Sequence, residues 1–302
     1  MSQATETPST DRATHASGAG ASPIPAVATG DTAPPIGQLL RDWRQRRRLS
    51  QLTLSLEAEV SQRHLSCVES GRARPSRDLV LRLAEELDVP LRERNGLLLA
   101  AGFAPGYPQH DLAAPELAPA RAAIEALLSA QMPHPVLVVD RYWTLLMAND
   151  AATGLLGGGA GGGGSGVGGA GGPLNVLRFS LSPAGIAGRI LNFAEWRAHV
   201  LARLARDVET SADPRLAALL DELRTLPLPE QARHQPPHRL DARTVAVPLR
   251  LASAAGPLAF LSTTTVFGTA VDVMLSELTI EAFYPADAHT AAVLRGQISV
   301  SN

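Results

Sequence analysis

From Ile36 onward the apolar residues Ile36, Leu39, Leu40 and Trp43 fall on the i, i+3, i+4, i+7 spacing of a single helix face. Helical patterning then continues to Gly102 and confines this part of the chain to a small all-α bundle. Residues 51–58 read as a second short helix with Leu54 and Ala58 on one side. "EVS" reads as a turn. Ser61 is then the N-cap of a third helix, "QRHLSCVESG", from which Leu65 and Val68 point inward. Gly71 stands where a left-handed residue would close that helix. "RPSRDLVLRLAEELDV" is a fourth amphipathic helix, with Leu79, Leu83 and Leu87 on one face, and "LRERNGLLLAAG" is a fifth. The five-helix unit, residues 35–102, is of a size that can fold independently.

The charge of this unit narrows its role. Residues 41–77 hold nine arginines and four acids, a balance of +5, in a chain whose net charge is −2. A basic cluster on a near-neutral protein is the electrostatic footprint of a polyanion-binding module. "LSQ", Ala58, "VS", "LS", "VESGR" and "RPS" follow one another at the spacings of the phage-repressor/Cro-type helix-turn-helix, and the segment resembles that XRE family. Two residues depart from the pattern: Ser55 replaces a usual alanine, and Glu59 stands where glycine usually makes the turn. A positive φ at Glu59 costs about 1 kcal/mol.

The resemblance implies that the third helix enters the major groove of an operator with its N-terminal residues nearest the bases. Ser61, Gln62 and Arg63 come first, with Ser66 and Cys67 one turn further on. Glutamine can pair adenine bidentately and arginine can pair guanine. In the family pattern Gln51 bonds phosphate and buttresses the reading helix. Arg72 and Arg74, just beyond that helix, are natural phosphate partners. His64 reads either as a base contact or as a partly exposed helix residue, and Cys67 as a small residue facing the groove or the core.

Residues 103–118, rich in proline and turn formers, read as a linker that could also pack as a short strap. Beyond them, residues 119–298 alternate in type. A helix, "PARAAIEALLSAQ", precedes two apolar β runs broken at Asp140 and Arg141, and "ANDAATGLL" begins a helix capped by Asn149 or Asp150. "LNVLRFSLSP" reads as a non-helical apolar run, followed by helices over 184–208 and 214–226. "TVAVPLRL", "GPLAFLSTTTVF" and "VDVMLSELTIEAFYPA" read as strands, and "ADAHTAAVLRG" as a closing helix. Two strands, helices and three strands make a PAS-like α+β domain. Such a domain is an antiparallel sheet with helices over one face and a small-molecule cavity between.

"RPSRDLVLRLAEELDVPLRERNGLLLAAGFAP", "PVLVVDRYWTLLMAN", "NVLRFSLSP" and "FGTAVDVMLSELTIEAFYPAD" extend the likeness. With them, residues 36–295 resemble a helix-turn-helix joined to the ligand-binding domain of MmyB-like transcription regulators. The resemblance implies a one-component regulator in which an effector, a long-chain fatty acid or a similar lipophilic molecule, alters operator binding. Aromatics are scarce at 4% of residues, and Trp143, Phe179, Phe193, Trp196 and Phe267, together with Phe260, are candidates to line a lipophilic pocket. Ordinary core packing is the competing reading for each. Arg178, Arg189 or Arg197 could pair a carboxylate head group.

Other classes find less support. No nucleophile elbow, His-Glu metal helix or paired cysteine occurs, so no enzymatic activity, cofactor or metal is expected. "HQPPH" cannot present its histidines on one helical face. A haem- or redox-sensing PAS domain, with His199 as axial ligand, and an antitoxin-type protein are the remaining alternatives. The single cysteine, the absence of a signal peptide and the absence of a membrane-length apolar run lead to an expected cytoplasmic location. A major-groove reader of the resembled type binds two half-sites, which leads to an expected homodimer. The first 34 residues read as a disordered tail. "GSGVGG", inside the glycine tract at 157–172, matches a phosphate-loop pattern by accident, because a helix precedes it and a non-helical run follows. The tract reads as a disordered insertion within the sensing domain.

Overall fold

The computed structural model describes residues 34–156, 172–232 and 246–296. The N-terminal tail (but for Pro34), the glycine tract (but for Gly172) and "HQPPH" lie outside the described residues. The first five helices are α1 (Ile36–Arg46), α2 (Gln51–Glu57), α3 (Gln62–Glu69), α4 (Arg77–Glu86) and α5 (Leu91–Ala100). One capping device starts the three central ones. Ser50, Ser61 and Ser76 each accept a hydrogen bond from an amide three residues on, that of Thr53, His64 and Leu79. Leu40, Leu54, Leu65, Val68, Val80, Leu83 and Leu87 form the fully buried core between these helices. Glu59 makes the α2–α3 turn at φ 51°, and Gly71 closes α3 at φ 74°. Gly37 is there because α1 crosses α3 too closely for any side chain: a Cβ would sit 2.3 Å from the Val68 carbonyl oxygen.

The second half runs through α6 (Ala118–Ala130), β1 (Val136–Val139), β2 (Leu145–Ala148), α7 (Asp150–Leu155), α8 (Val176–Leu181), α9 (Phe193–Ser211) and α10 (Pro214–Thr225). It closes with β3 (Leu249–Leu251), β4 (Leu258–Val266), α11 (Val273–Glu277), β5 (Thr279–Pro285) and α12 (Ala288–Leu294). The strands form one antiparallel sheet in the order β2-β1-β5-β4-β3, the PAS-like α+β arrangement. All four residues of β1 are buried, and they divide between two cores. Leu137 and Val139 join the core built with α8, α9 and α10, while Val136 and Val138 join Ile124 and Leu128 of α6. Helices therefore cover both faces at β1, where the sequence pattern led us to expect one covered face.

Three segments differ from their sequence reading. The apolar run after the glycine tract is helix α8, because the Asn175 side chain accepts the Arg178 amide and starts a turn there. One ground for dismissing the phosphate-loop match therefore falls; the other stands, since α7 and not a strand precedes the tract. "VMLSE" is helix α11 instead of strand, because Asp272 accepts the amides of Met274 and Leu275 and forces a turn. The helical run expected from residue 184 begins as a single 3-10 turn, Ala187–Arg189, and α9 starts only at Phe193. Residues 103–114 pack closely. Asn95 of α5 bonds Gly106 and Tyr107, Leu112 is buried under α6, and His110 bonds Asp272 at 2.8 Å.

Candidate functional site

The exposed face of α3 is built from its cap upward. With Ser61 occupied as N-cap, Gln62, Arg63 and His64 stand exposed on the first turn, and Ser66 and Cys67 are half-buried one turn later. Arg63 and Arg74 make no hydrogen bond or ion pair among the described residues, and both are exposed. Arg72, also exposed, holds only the Ser70 hydroxyl, at 2.9 Å. These side chains form an open cationic rim around the start and end of one helix.

Behind that rim lies a residue the sequence reading passed over. The Glu69 side chain is fully buried and accepts both Nε and Nη2 of Arg44, at 2.6 and 2.9 Å, as well as Gln51 Nε2 at 2.8 Å. Gln51 thus touches α3 through its last residue, while Arg44 fixes α1 to the same carboxylate. Burial pushes the Glu69 carboxyl up, yet the hydrogen bonds from Arg44 and Gln51 and the charges of Arg44 and Arg41 outweigh it. The net result lies below the ordinary carboxylate value.

The second site is a cavity between the sheet and α7, α8 and α9. Leu137, Leu155, Leu177, Phe179, Val200 and Phe283 give it apolar walls. Of the expected aromatic liners, Trp143, Phe179 and Trp196 are brought together here. Phe193 and Phe260 are fully buried core residues, and Phe267 packs with the core on the other face of the sheet. The candidate arginines also lie elsewhere. Arg178 pairs Glu222 on the surface, Arg189 bonds the Leu155 carbonyl, and Arg197 bonds those of Leu223 and Arg224.

The polar residues of the cavity are instead His199, Arg203, Ser262 and Glu281, with Ser180, whose hydroxyl is spent on the Leu177 carbonyl, and the indole N–H of Trp196. Trp196, His199 and Arg203 recur at three and seven residues along α9, so helical periodicity was the signal that could have found them. Arg203 Nη2 lies 2.5 Å from Glu281 Oε1 and 3.0 Å from Thr264 Oγ1, and its guanidinium stacks 4.6 Å above the Trp143 ring. Burial, then the nearby charges of Arg203 and Arg206, hold the His199 imidazole below its ordinary value and so favour its neutral form.

Trp143 ends a turn whose first half reaches the helical bundle. Asp140 Oδ1 accepts the amides of Tyr142 and Thr144, and Trp143 is held at φ 63°, where a bulky residue is strained. Two residues earlier, the Arg141 side chain is 8% exposed. It contacts Glu93 of α5 at 2.8 Å, Glu277 of α11 at 2.6 Å and Asp213 at the start of α10 at 3.1 Å. Arg92 of α5 also grips Glu277, at 2.6 Å, and Tyr142 donates its hydroxyl to Asp213. Burial, opposed by Arg141, leaves Glu93 above the ordinary carboxylate value. The C-terminal end of α9 touches the bundle as well, through Arg47 to the Thr210 carbonyl and through Ala212 against the helical core.

No described helix is long and apolar enough to cross a membrane. Comparison with known sequence families gives two matches. Residues 40–94 match a helix-turn-helix family, and residues 120–296 match the MmyB-like transcription regulator ligand binding domain. No curated protein matches the chain. With more than half of its length in the second match, the chain belongs to the MmyB-like transcription regulators, a DNA-binding helix-turn-helix carried with a ligand-binding domain.

Proposed function

We propose that the chain works as a one-component cytoplasmic regulator, a homodimer whose α3 helices read two half-sites of an operator and whose cavity takes a small lipophilic effector. The DNA-reading unit spans residues 35–102 and the sensing unit residues 119–298. Gln62, Arg63, Ser66 and Cys67 face base edges, with His64 beside them. Arg72 and Arg74 hold phosphates, and Gln51 supports the helix from behind through Glu69. Ser61 sets the register of α3 through its cap.

One observation carries the regulatory half of this reading: a single turn presents Trp143 to the cavity and Arg141 to Glu93 of the bundle. A ligand that displaces the Trp143 ring moves a backbone only two residues from the ion cluster that seats α5. Coupling of this kind between two sites typically changes affinity about 5–150-fold. Selection of full-length chain against a random duplex pool tests the DNA half. It should enrich an inverted repeat with half-site centres about one helical turn apart. Retention of unrelated sequences alone would contradict sequence-specific reading, and enrichment of a single unrepeated half-site would contradict the dimer.

A further inference from the structure

The charges inside the cavity cancel, and that restricts what can end there. Glu281 is 4% exposed in its side chain, lines the cavity, and already neutralises Arg203. Asp207, on the next turn of α9 and outside the cavity lining, is pushed toward its uncharged form by burial, against the charge of Arg203, so it does not upset that balance. His199 faces the same space as a neutral ring, offering one donor and one acceptor nitrogen. Ser262 adds a hydroxyl one rung along β4 from Thr264. Trp196, which also lines the cavity, carries a buried indole N–H with no acceptor among the described residues. Such a donor needs a partner oxygen.

An incoming carboxylate meets Glu281 at close range and finds Arg203, the one arginine among the described lining residues, already paired. An ammonium meets Arg203 and a carboxylate that is likewise engaged. A hydroxyl or carbonyl end accepts from Trp196 or Arg203 without adding charge, and a hydroxyl can also donate to Glu281 or His199. We propose that the effector of this cavity is an uncharged amphiphile, an alkyl chain ending in a hydroxyl or carbonyl group. A fatty acid enters only in its protonated form.

This inference rests on the lipophilic-cavity reading above, and one titration series separates the two. Full-length protein is titrated at pH 8 with decanol, 2-decanone, decanoate and decylammonium, and binding is followed by calorimetry. Decanol and decanone should bind at least about tenfold more tightly than either ion. Equal or tighter binding of decanoate or decylammonium would overturn the uncharged class while leaving a lipophilic cavity in place. Failure of all four to bind would overturn the lipophilic reading itself, and this inference with it. In Glu281→Gln the unpaired Arg203 charge should raise the decanoate-to-decanol affinity ratio about tenfold. An unchanged ratio in folded variant would overturn the role given to Glu281, and the wild-type series decides the ligand class without that variant.

Discussion

Glu69 is a single buried side chain that ties three helices of the bundle together. Its carboxylate joins Arg44 of α1, Gln51 of α2 and the end of α3, so its removal leaves the largely buried Arg44 guanidinium without its counter-charge and with only the Leu49 carbonyl as partner among the described residues. Loss of one member of such a pair typically costs about 3–5 kcal/mol. Glu69→Ala is expected to lower unfolding free energy by about 3 kcal/mol in urea titrations, and a loss below about 1 kcal/mol would contradict the hub. The pH dependence has a definite sign. Because the folded carboxyl lies below its ordinary value, its stabilisation is complete above that value and is lost as pH falls through the lower, folded one. Glu69→Gln should therefore flatten the acid limb of the stability curve. Glu93 acts in the opposite sense. Its folded value is raised, so its contribution declines as pH climbs from the ordinary carboxylate value to the raised one.

At the scale of elements, α3 makes two separable predictions. Arg63→Ala should relax base preference at one position of each half-site, at about 1–3 kcal/mol, measured on duplexes varied at that position. Arg72→Ala should weaken all sequences alike and reduce the salt slope by about one unit. A sequence-selective loss at Arg72, or an unchanged preference at Arg63, would contradict these roles. The α1–α3 crossing gives a third. Gly37→Ala pushes a methyl into the Val68 carbonyl and should destabilise the bundle by about 1–3 kcal/mol in thermal melts, with a neutral effect excluding the close approach. Elements were legible in the sequence wherever periodicity and caps agreed: Leu65, Val68 and Gly71 marked α3, and the pair Asn149 or Asp150 marked the start of α7, where Asn149 is the cap. They were not legible where a side-chain cap overrode an apolar run, as Asn175 does before α8 and Asp272 before α11. Gly37 gave no local sign, because its reason is a neighbouring helix thirty residues away.

For the whole molecule, a small cluster of charged side chains joins the helical bundle to the C-terminal domain. Arg92 and Arg141 pair with Glu93, Asp213 and Glu277 at the junction of the bundle and the C-terminal domain, and Arg215 stacks over the Tyr142 ring beside them. Composition cannot reveal such a cluster, since its members lie as far apart in sequence as Glu93 and Glu277. For the same reason the cavity was legible in Trp143, Phe179 and Trp196 but not in Glu281, whose partner Arg203 comes from another element. Arg141→Met leaves Glu93 and Asp213 buried without their guanidinium. It should cost about 3 kcal/mol of stability and reduce any effector-induced change in DNA affinity to less than about twofold. Full coupling in a folded Arg141→Met protein would move the transmission elsewhere, for example to the contact of α9 with Arg47. The most direct test of effector control is the affinity of wild-type chain for its selected operator, measured by fluorescence anisotropy with and without decanol at a concentration shown by titration to fill the cavity. A change of at least about fivefold is expected. An unchanged affinity with the cavity filled would contradict effector control of DNA binding.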